Sequence, residues 1–339
     1  MVRVRTYIAS NFTKAFLTIF LPFFLIISLI YLVKISALTS KIQITFGELI
    51  TLYLYSIPDI TFYTLPISFV AALANVLIKL STDNELIALY ALGLKAKKVL
   101  SSLLLLGLLF SLLLLSISFF GMPLSKQFYA SFKETKKSEA KINIVAGKLG
   151  QKFGNYYTYV KEKREDTFHN MVIYNRTDRN NEQFFSAKKG NLQKKNNKTS
   201  LLLTNGYGYT YTKDKLQEAE YRTLEVYDKT KKRNFIFEDV FTFWSKAQSD
   251  ERTLHRLLFY IFVSLIPLIS VYLVAAYTMI NPRYQANHSY IVIFSVTLLF
   301  YTIASVLQKM GSFYLLAAAI AFTSVLGIWL FHRRVTRFF

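Results

Sequence analysis

Six stretches of this chain run for 19 to 27 residues without a charged side chain, and this limits its fold more than any other feature. They lie between Lys14 and Lys34, Asp59 and Lys79, Lys98 and Lys126, Arg256 and Arg283, Arg283 and Lys309, and Lys309 and Arg333. Leu, Ile, Phe, Val and Ala dominate each one. About 20 helical residues cross ~30 Å of hydrocarbon. In hydrocarbon every backbone amide must pair within its own segment, so the six stretches are read as transmembrane helices. The first is long for a signal-peptide core, and no small-x-small cleavage pattern follows it, so a retained helix is expected. Pro22, Pro66 and Pro267 fall inside spans. Each is either an ordinary membrane-helix proline or a bend that lets a cavity open sideways.

Lysine and arginine bias in short loops sets orientation. Arg3, Arg5 and Lys14 precede the first span, Lys95, Lys97 and Lys98 follow the second, Arg283 follows the fourth, and Arg333, Arg334 and Arg337 follow the sixth. The opposite side offers Lys34, Lys41 and Lys309. Both termini are therefore expected in the cytoplasm and the long middle segment outside. The expected division is 1–124 for three spans, 125–252 for an extracytoplasmic domain, and 253–339 for three more spans.

The net charge is +21, and it is not one tail. Residues 122–250 hold 25 Lys and Arg against 15 Asp and Glu, and the remainder holds 16 against 5. Such a balance favours anionic partners, and beside membrane spans it favours lipid head groups or phosphorylated glycolipid over nucleic acid. There is no cysteine, which removes disulfides, thiolate metal sites and cysteine nucleophiles.

The middle segment reads as strands. Tyr207, Tyr209 and Tyr211 recur at period two, Leu224 and Val226 alternate with polar neighbours, and Asn155 to Val160 and Met171 to Tyr174 are rich in β-formers. Asn205-Gly206 and the run 194–198 are expected as turns. An antiparallel sandwich or jelly roll follows as the expectation, entered through a helical continuation of the third span over 126–148. Its edges are either capped or open to an added strand.

The loop after the second span carries a short apolar helix over 82–93. Thr82 and Glu85 have capping-box spacing, and Gly93 is a natural stop. Such a helix either docks into a groove on a soluble partner or only closes a turn at the interface. Its residues Asn84-Glu85-Leu86-Ile87-Ala88-Leu89-Tyr90-Ala91-Leu92-Gly93 resemble the coupling helix of the LptF/LptG lipopolysaccharide-export permeases, in which Glu is followed by apolar residues and then Ala-x-Gly. The layout of three helices, a periplasmic β-jellyroll and three helices is similar too. Asn281-Pro282-Arg283 resembles the LptF member more than LptG. Tyr90 departs from the pattern, since many relatives carry a basic or polar residue there.

The resemblance implies a permease subunit of the bacterial inner membrane that extracts lipopolysaccharide. Its implied partners are a second LptF/LptG-type permease, a cytoplasmic ATP-binding-cassette ATPase dimer, a membrane-anchored LptC-like protein and a periplasmic bridge of β-jellyrolls. It implies that Glu85, with Leu86, Leu89, Tyr90 and Gly93, faces the ATPase. It also implies that Lys34 sits near lipid A phosphates, with Lys41 a second candidate. On physical grounds Lys34 is either a snorkelling anchor or a charge-assisted phosphate contact.

No cofactor is expected. The one Gly-Lys pair, Gly147-Lys148, lacks the rest of a P-loop, so ATP would be bound by a partner and the chain is not expected to be an enzyme. His169, His255, His288 and His332 have no metal-ligand spacing. Carboxylates are nearly missing from the spans, with Asp59 expected at the outer edge of the second, which argues against ion coupling. The rival reading is a membrane-anchored envelope sensor or assembly factor with a ligand-binding β-domain, which has no need of an ATPase-docking helix.

Overall fold

A computed structural model of the 339-residue chain describes residues 4–39, 44–142, 144–153, 156–165, 167–178, 181–195, 198–212, 215–227, 236–279 and 289–336. Lys41 and Asn281-Pro282-Arg283 lie outside the described residues. The chain divides into a helical unit and a β unit, with the divisions at Tyr129/Ala130 and Ile236/Phe237.

The helical unit begins with α1 (Val4–Thr39), α2 (Phe46–Thr82) and the short α3 (Glu85–Ala91). Next comes α4 (Ala96–Ser116), which passes through a π-helical turn, Ile117–Gly121, into α5 (Met122–Ile142). After the β unit come α6 (Val240–Ser245), α7 (Glu251–Thr278), α8 (Ser289–Met310) and α9 (Phe313–Phe331). All six expected spans are helices long and apolar enough to cross a membrane. Their burial is unequal. The most apolar windows of α2 and α7 are 78% and 72% buried, against 11–28% in the other four. So α2 and α7 form the centre of the bundle, and the others turn most of their Leu, Ile and Phe outward, as helices bathed in lipid do.

Close helix contact is built from small residues and hydroxyls, as membrane interfaces require. Gly107 of α4 lies against the Pro267 carbonyl of α7, where a Cβ would come within 2.8 Å of that oxygen. Beside it the Ser111 hydroxyl of α4 accepts the Leu268 N–H at 3.2 Å. The Ser264 hydroxyl meets that of Ser118 at 3.3 Å. The Phe119 carbonyl, in the π turn, accepts the Trp244 indole N–H at 2.9 Å.

The returning chain is tied to the helices before α7 begins. Gln127 donates its amide to the Glu238 carbonyl at 3.1 Å and accepts the Glu238 N–H at 2.7 Å. Trp244 is buried in the helical core. Residues 125–129 and 237–252 therefore pack with the helical unit, inside the segment that the sequence assigns to the outer domain. The Asp250 carboxylate caps α7, accepting the N–H groups of Arg252 and Thr253 at 3.3 and 3.2 Å and the Thr253 hydroxyl at 2.6 Å.

The β unit is one antiparallel sheet of β1 (Gln151–Phe153), β2 (Tyr156–Arg164), β3 (Thr167–Asp178), β4 (Asn181–Lys195), β5 (Lys198–Thr212) and β6 (Lys215–Tyr227). The strands pair in sequence order. The expected sandwich or jelly roll needs strands that cross between two sheets, and the described strands make no such crossing. The pairings reach Arg164↔Thr167, Asp178↔Asn181, Lys195↔Lys198 and Thr212↔Lys215, so each strand lies antiparallel to the one before it in the chain.

Asn205-Gly206 is not a turn. It lies inside β5, with Asn205 at φ +54°. Asn tolerates that left-handed backbone, and a Cβ on Gly206 would run into the Ser186 carbonyl of β4. One face of the sheet is a core of Val160, Phe168, Met171, Ile173, Leu201 and Leu203, closed by Ile144 and Val226. Tyr207 and Tyr211 lie on the exposed face.

Candidate functional site

The helical unit brings candidate residues together at both of its ends. At one end α2 stops at Thr82, and Asn84 reverses the chain at φ +58°. α3 then runs for only seven residues. The expected capping box of Thr82 and Glu85 does not form. The Thr82 hydroxyl donates back to the Ile78 and Lys79 carbonyls, as a hydroxyl inside a helix does. The Glu85 carboxylate instead accepts the Tyr7 hydroxyl of α1, with its two oxygens at 2.9 and 2.8 Å. The stop at Gly93 does form. Gly93 stands at φ +79°, its N–H donates to the Tyr90 carbonyl at 2.9 Å, and the Leu94 N–H donates to the Leu89 carbonyl at 3.1 Å. These two bonds are a Schellman motif, which needs a left-handed residue at that position.

Packing decides which face of α3 is available. Leu86 is buried, and Leu89 and Tyr90 pack against the helical core. Burial holds the Tyr90 phenol well above the usual tyrosine range. These three side chains anchor α3 to its own bundle. Ala88, Ala91, Gly93 and Leu92, the last 79% exposed, form the outward face, with Lys95, Lys97 and Lys98 just beyond. The start of α1 and the ends of α7 and α9 share this end. The Ser81 hydroxyl meets the Thr278 carbonyl at 3.0 Å, and the Arg334 guanidinium lies 4.3 Å from the Tyr277 ring centre.

Lys34 lies 27 residues along α1 from Tyr7, about 40 Å away at 1.5 Å per residue. Its ammonium is 5.4 Å from the Tyr31 ring centre. It lines a cavity of about 140 Å³ together with Tyr31, Ser56, Asp59, Ser125 and Lys126. Lys126 donates to the Tyr260 hydroxyl of α7 and stands 5.0 Å from that ring's centre. Asp59 keeps one oxygen, Oδ1, buried with no hydrogen-bond partner among the described residues.

Asp59 and Lys126 line the same cavity as Lys34 and are not among the candidates read from the sequence. α2 begins at Phe46, about 20 Å of helix before Asp59, so the helix continues past this carboxylate. The signal was present as a lone acid facing two span-flanking lysines, but nothing in the sequence brings Lys126 to it. Tyr7 was missed for the same reason: its link to Glu85 spans 78 residues.

Among the described residues no cluster of His, Cys, Asp and Glu could hold a metal ion. No curated protein matches this sequence. The profile of the family described as Lipopolysaccharide export system permease LptF/LptG matches residues 6–333, which takes in all six long apolar helices and the whole sheet. With that match over nearly the full length, on a six-helix membrane unit carrying an inserted β-sheet, the chain belongs to the LptF/LptG family of lipopolysaccharide export permeases.

Proposed function

We propose that this inner-membrane protein is the permease half of an ATP-driven lipopolysaccharide exporter. Its α3 end faces the cytoplasm and docks an ATPase dimer carried by other chains. The observation that supports this is the build of α3. A seven-residue helix is too short to hold its shape alone. Here Leu86 buries one face, a Schellman motif closes the end, and Tyr7 holds Glu85. The result is a rigid knob with a small-residue face, Ala88, Ala91 and Gly93, that a groove can accept. Movement of an ATPase against such a knob passes directly into α1 and α2. A sensor has no use for it.

In this reading Lys34 at the other end of the bundle, with Lys41 in the connection after α1, faces lipid phosphates. The β unit receives the extracted lipid and passes it to a bridge of similar β-folds with the help of a membrane-anchored LptC-like protein. A second LptF/LptG-type chain completes the membrane part. Asn281-Pro282-Arg283 supports the LptF-type half.

Capture of partners tests the reading. The tagged chain, co-expressed with the membrane and ATP-binding proteins of its source, is expected to bring down a second six-span chain and an ATPase in mild detergent. Glu85→Lys is expected to keep the second permease and lose the ATPase. A folded wild-type chain that comes out alone under several detergents overturns the exporter reading.

A further inference from the structure

The segment that leads into α7 dips along the bundle and climbs out again. Its heights follow from helix rise, counted from the end that carries α3, where Lys98 lies in the first turn of α4 and Thr278 closes α7. At the start of the segment Glu238 is held by Gln127, which stands 29 residues beyond Lys98, about 44 Å. Its middle is held lower. The Trp244 indole donates to the Phe119 carbonyl, and its ring centre lies 6.0 Å from that of Tyr260. Phe119 is 21 residues from Lys98 and Tyr260 is 18 from Thr278, about 32 and 27 Å. At the end of the segment Asp250 is 28 residues from Thr278, about 42 Å. Hydrocarbon is ~30 Å thick and the whole bilayer ~40–45 Å. Both ends of the segment therefore stand at the outer edge of the head groups, and Phe241 to Trp244 stand where hydrocarbon begins.

The side chains fit that depth. Backbone and polar groups near hydrocarbon must find partners inside the protein. Here the Phe243 N–H donates to the Asp239 carbonyl, the Ser245 hydroxyl donates to the Thr242 carbonyl, and Lys246 pairs with Glu238. The apolar rings do the opposite. Phe241 is 66% exposed, and Phe120, in the π turn at the same level, is 49% exposed. Both pack on Phe119, with ring centres at 6.0 and 5.1 Å. In water such rings would leave a large apolar surface uncovered, whereas at the bilayer boundary aromatic side chains are favoured. The outward face of α4 says what covers them. Leu112 and Leu113, two turns before Phe120, are half exposed on a span whose most apolar window is 28% buried. The lipid that covers these leucines continues onto Phe120 and Phe241.

We infer that residues 238–250 form a re-entrant strap that seats Phe241 in the bilayer boundary on the side away from α3. Its partner is the lipid of that leaflet. The strap gives the chain a membrane contact besides its six spans, and it fixes the entry to α7 at the membrane surface.

The chain has no cysteine, so single cysteines can carry a nitroxide label. The full chain is reconstituted in phosphatidylethanolamine–phosphatidylglycerol vesicles, and collisions of the label with oxygen, which concentrates in hydrocarbon, are compared with those of a water-soluble nickel chelate. At Phe241→Cys, oxygen is expected to relax the label several times more strongly than the chelate does. At Ser249→Cys, near the upper end of the strap, and at Lys188→Cys in β4 the order is expected to reverse. If the label at 241 meets the chelate as freely as the label at 188, the strap lies in water and the inference falls. If it is closed to both probes, protein covers Phe241 and the inference falls as well. Should Phe241→Cys fail to fold, Phe241→Trp keeps an aromatic ring, and its added fluorescence is expected to be quenched by brominated lipid and spared by aqueous iodide. The opposite pattern overturns the strap. Neither an ATPase nor a second permease is needed, so this result and the partner capture stand or fall separately.

Discussion

Glu85 is already held before any partner reaches it. The Tyr7 hydroxyl bridges its two oxygens, so a cationic group arriving at α3 must share or displace a bond to α1. A carboxylate held this way is oriented, and orienting it removes part of the entropy that docking would otherwise cost. Asp250 does similar work for α7. It binds two backbone N–H groups and the Thr253 hydroxyl, and these bonds, the Thr253 one above all, keep its carboxyl below the usual carboxylate range. A depressed folded-state value means that the ionised cap contributes stability above the unfolded value of roughly pH 4, and that this is lost as pH falls through the folded value. Asp250→Ala is therefore expected to lower the thermal midpoint in detergent at pH 7, and the gap from wild type should close only below about pH 4. A gap of the same size at pH 3 would show that the carboxylate charge is not what caps α7. At this scale the sequence was informative where one residue decides the outcome, as Gly93 does through its backbone. It misled where a partner decides. Thr82 and Glu85 have the right spacing for a capping box, but α2 runs on through Thr82 and Tyr7 takes Glu85.

At the scale of elements, α4 and α7 approach closely where Gly107 meets the Pro267 carbonyl. Proline removes one backbone donor from α7, and Ser111 takes up the next N–H, from Leu268. The contact works because α4 has no side chain at 107. Gly107→Ala places a Cβ about 2.8 Å from a carbonyl oxygen, so the helices must part or shift. We expect a loss of about 1–3 kcal/mol, the usual cost of overpacking, seen as a lower unfolding midpoint in detergent. Gly47 in the first turn of α2 is the control, since a Cβ there meets nothing within 4 Å. Gly47→Ala should leave the midpoint unchanged or raise it, because Ala favours helix over Gly. Equal losses at both sites would mean that close approach at Gly107 is not limiting. Helix existence was plain in the sequence because a span must be apolar over its whole length. The sheet was legible only in its strands. Period-two alternation gives a strand and its faces, but not its neighbours, so a meander and a jelly roll look alike before the pairing is known.

At the scale of the whole chain, Lys95, Lys97, Lys98, Arg333 and Arg334, far apart in the sequence, lie at the same end of the helical unit. Glu85 with Tyr7, Ser81 with Thr278 and Arg334 with Tyr277 join the start of α1, the ends of α2, α7 and α9, and α3. Lys95, Lys97 and Lys98 follow α3 in the chain, and Arg333 lies beside Arg334. Lys34 lies at the far end of α1, and Lys309 closes α8. Lysine and arginine in short loops resist translocation, so we expect this end of the bundle in the cytoplasm. The chain contains no cysteine, so single cysteines can report the arrangement without a background. Cysteines replacing Lys97 and Arg334 are expected to escape a membrane-impermeant maleimide in spheroplasts and to label once the membrane is opened. Cysteines replacing Lys309 and, in β4, Lys188 are expected to label before opening. The pairing of the four sites carries the argument. If Lys97 and Arg334 label early while Lys309 and Lys188 wait, the chain is inverted, α3 faces away from every nucleotide-binding partner, and the export reading loses its motor. If Lys97 and Lys309 behave alike, the helices do not all cross, and the six apolar lengths have been misread as spans.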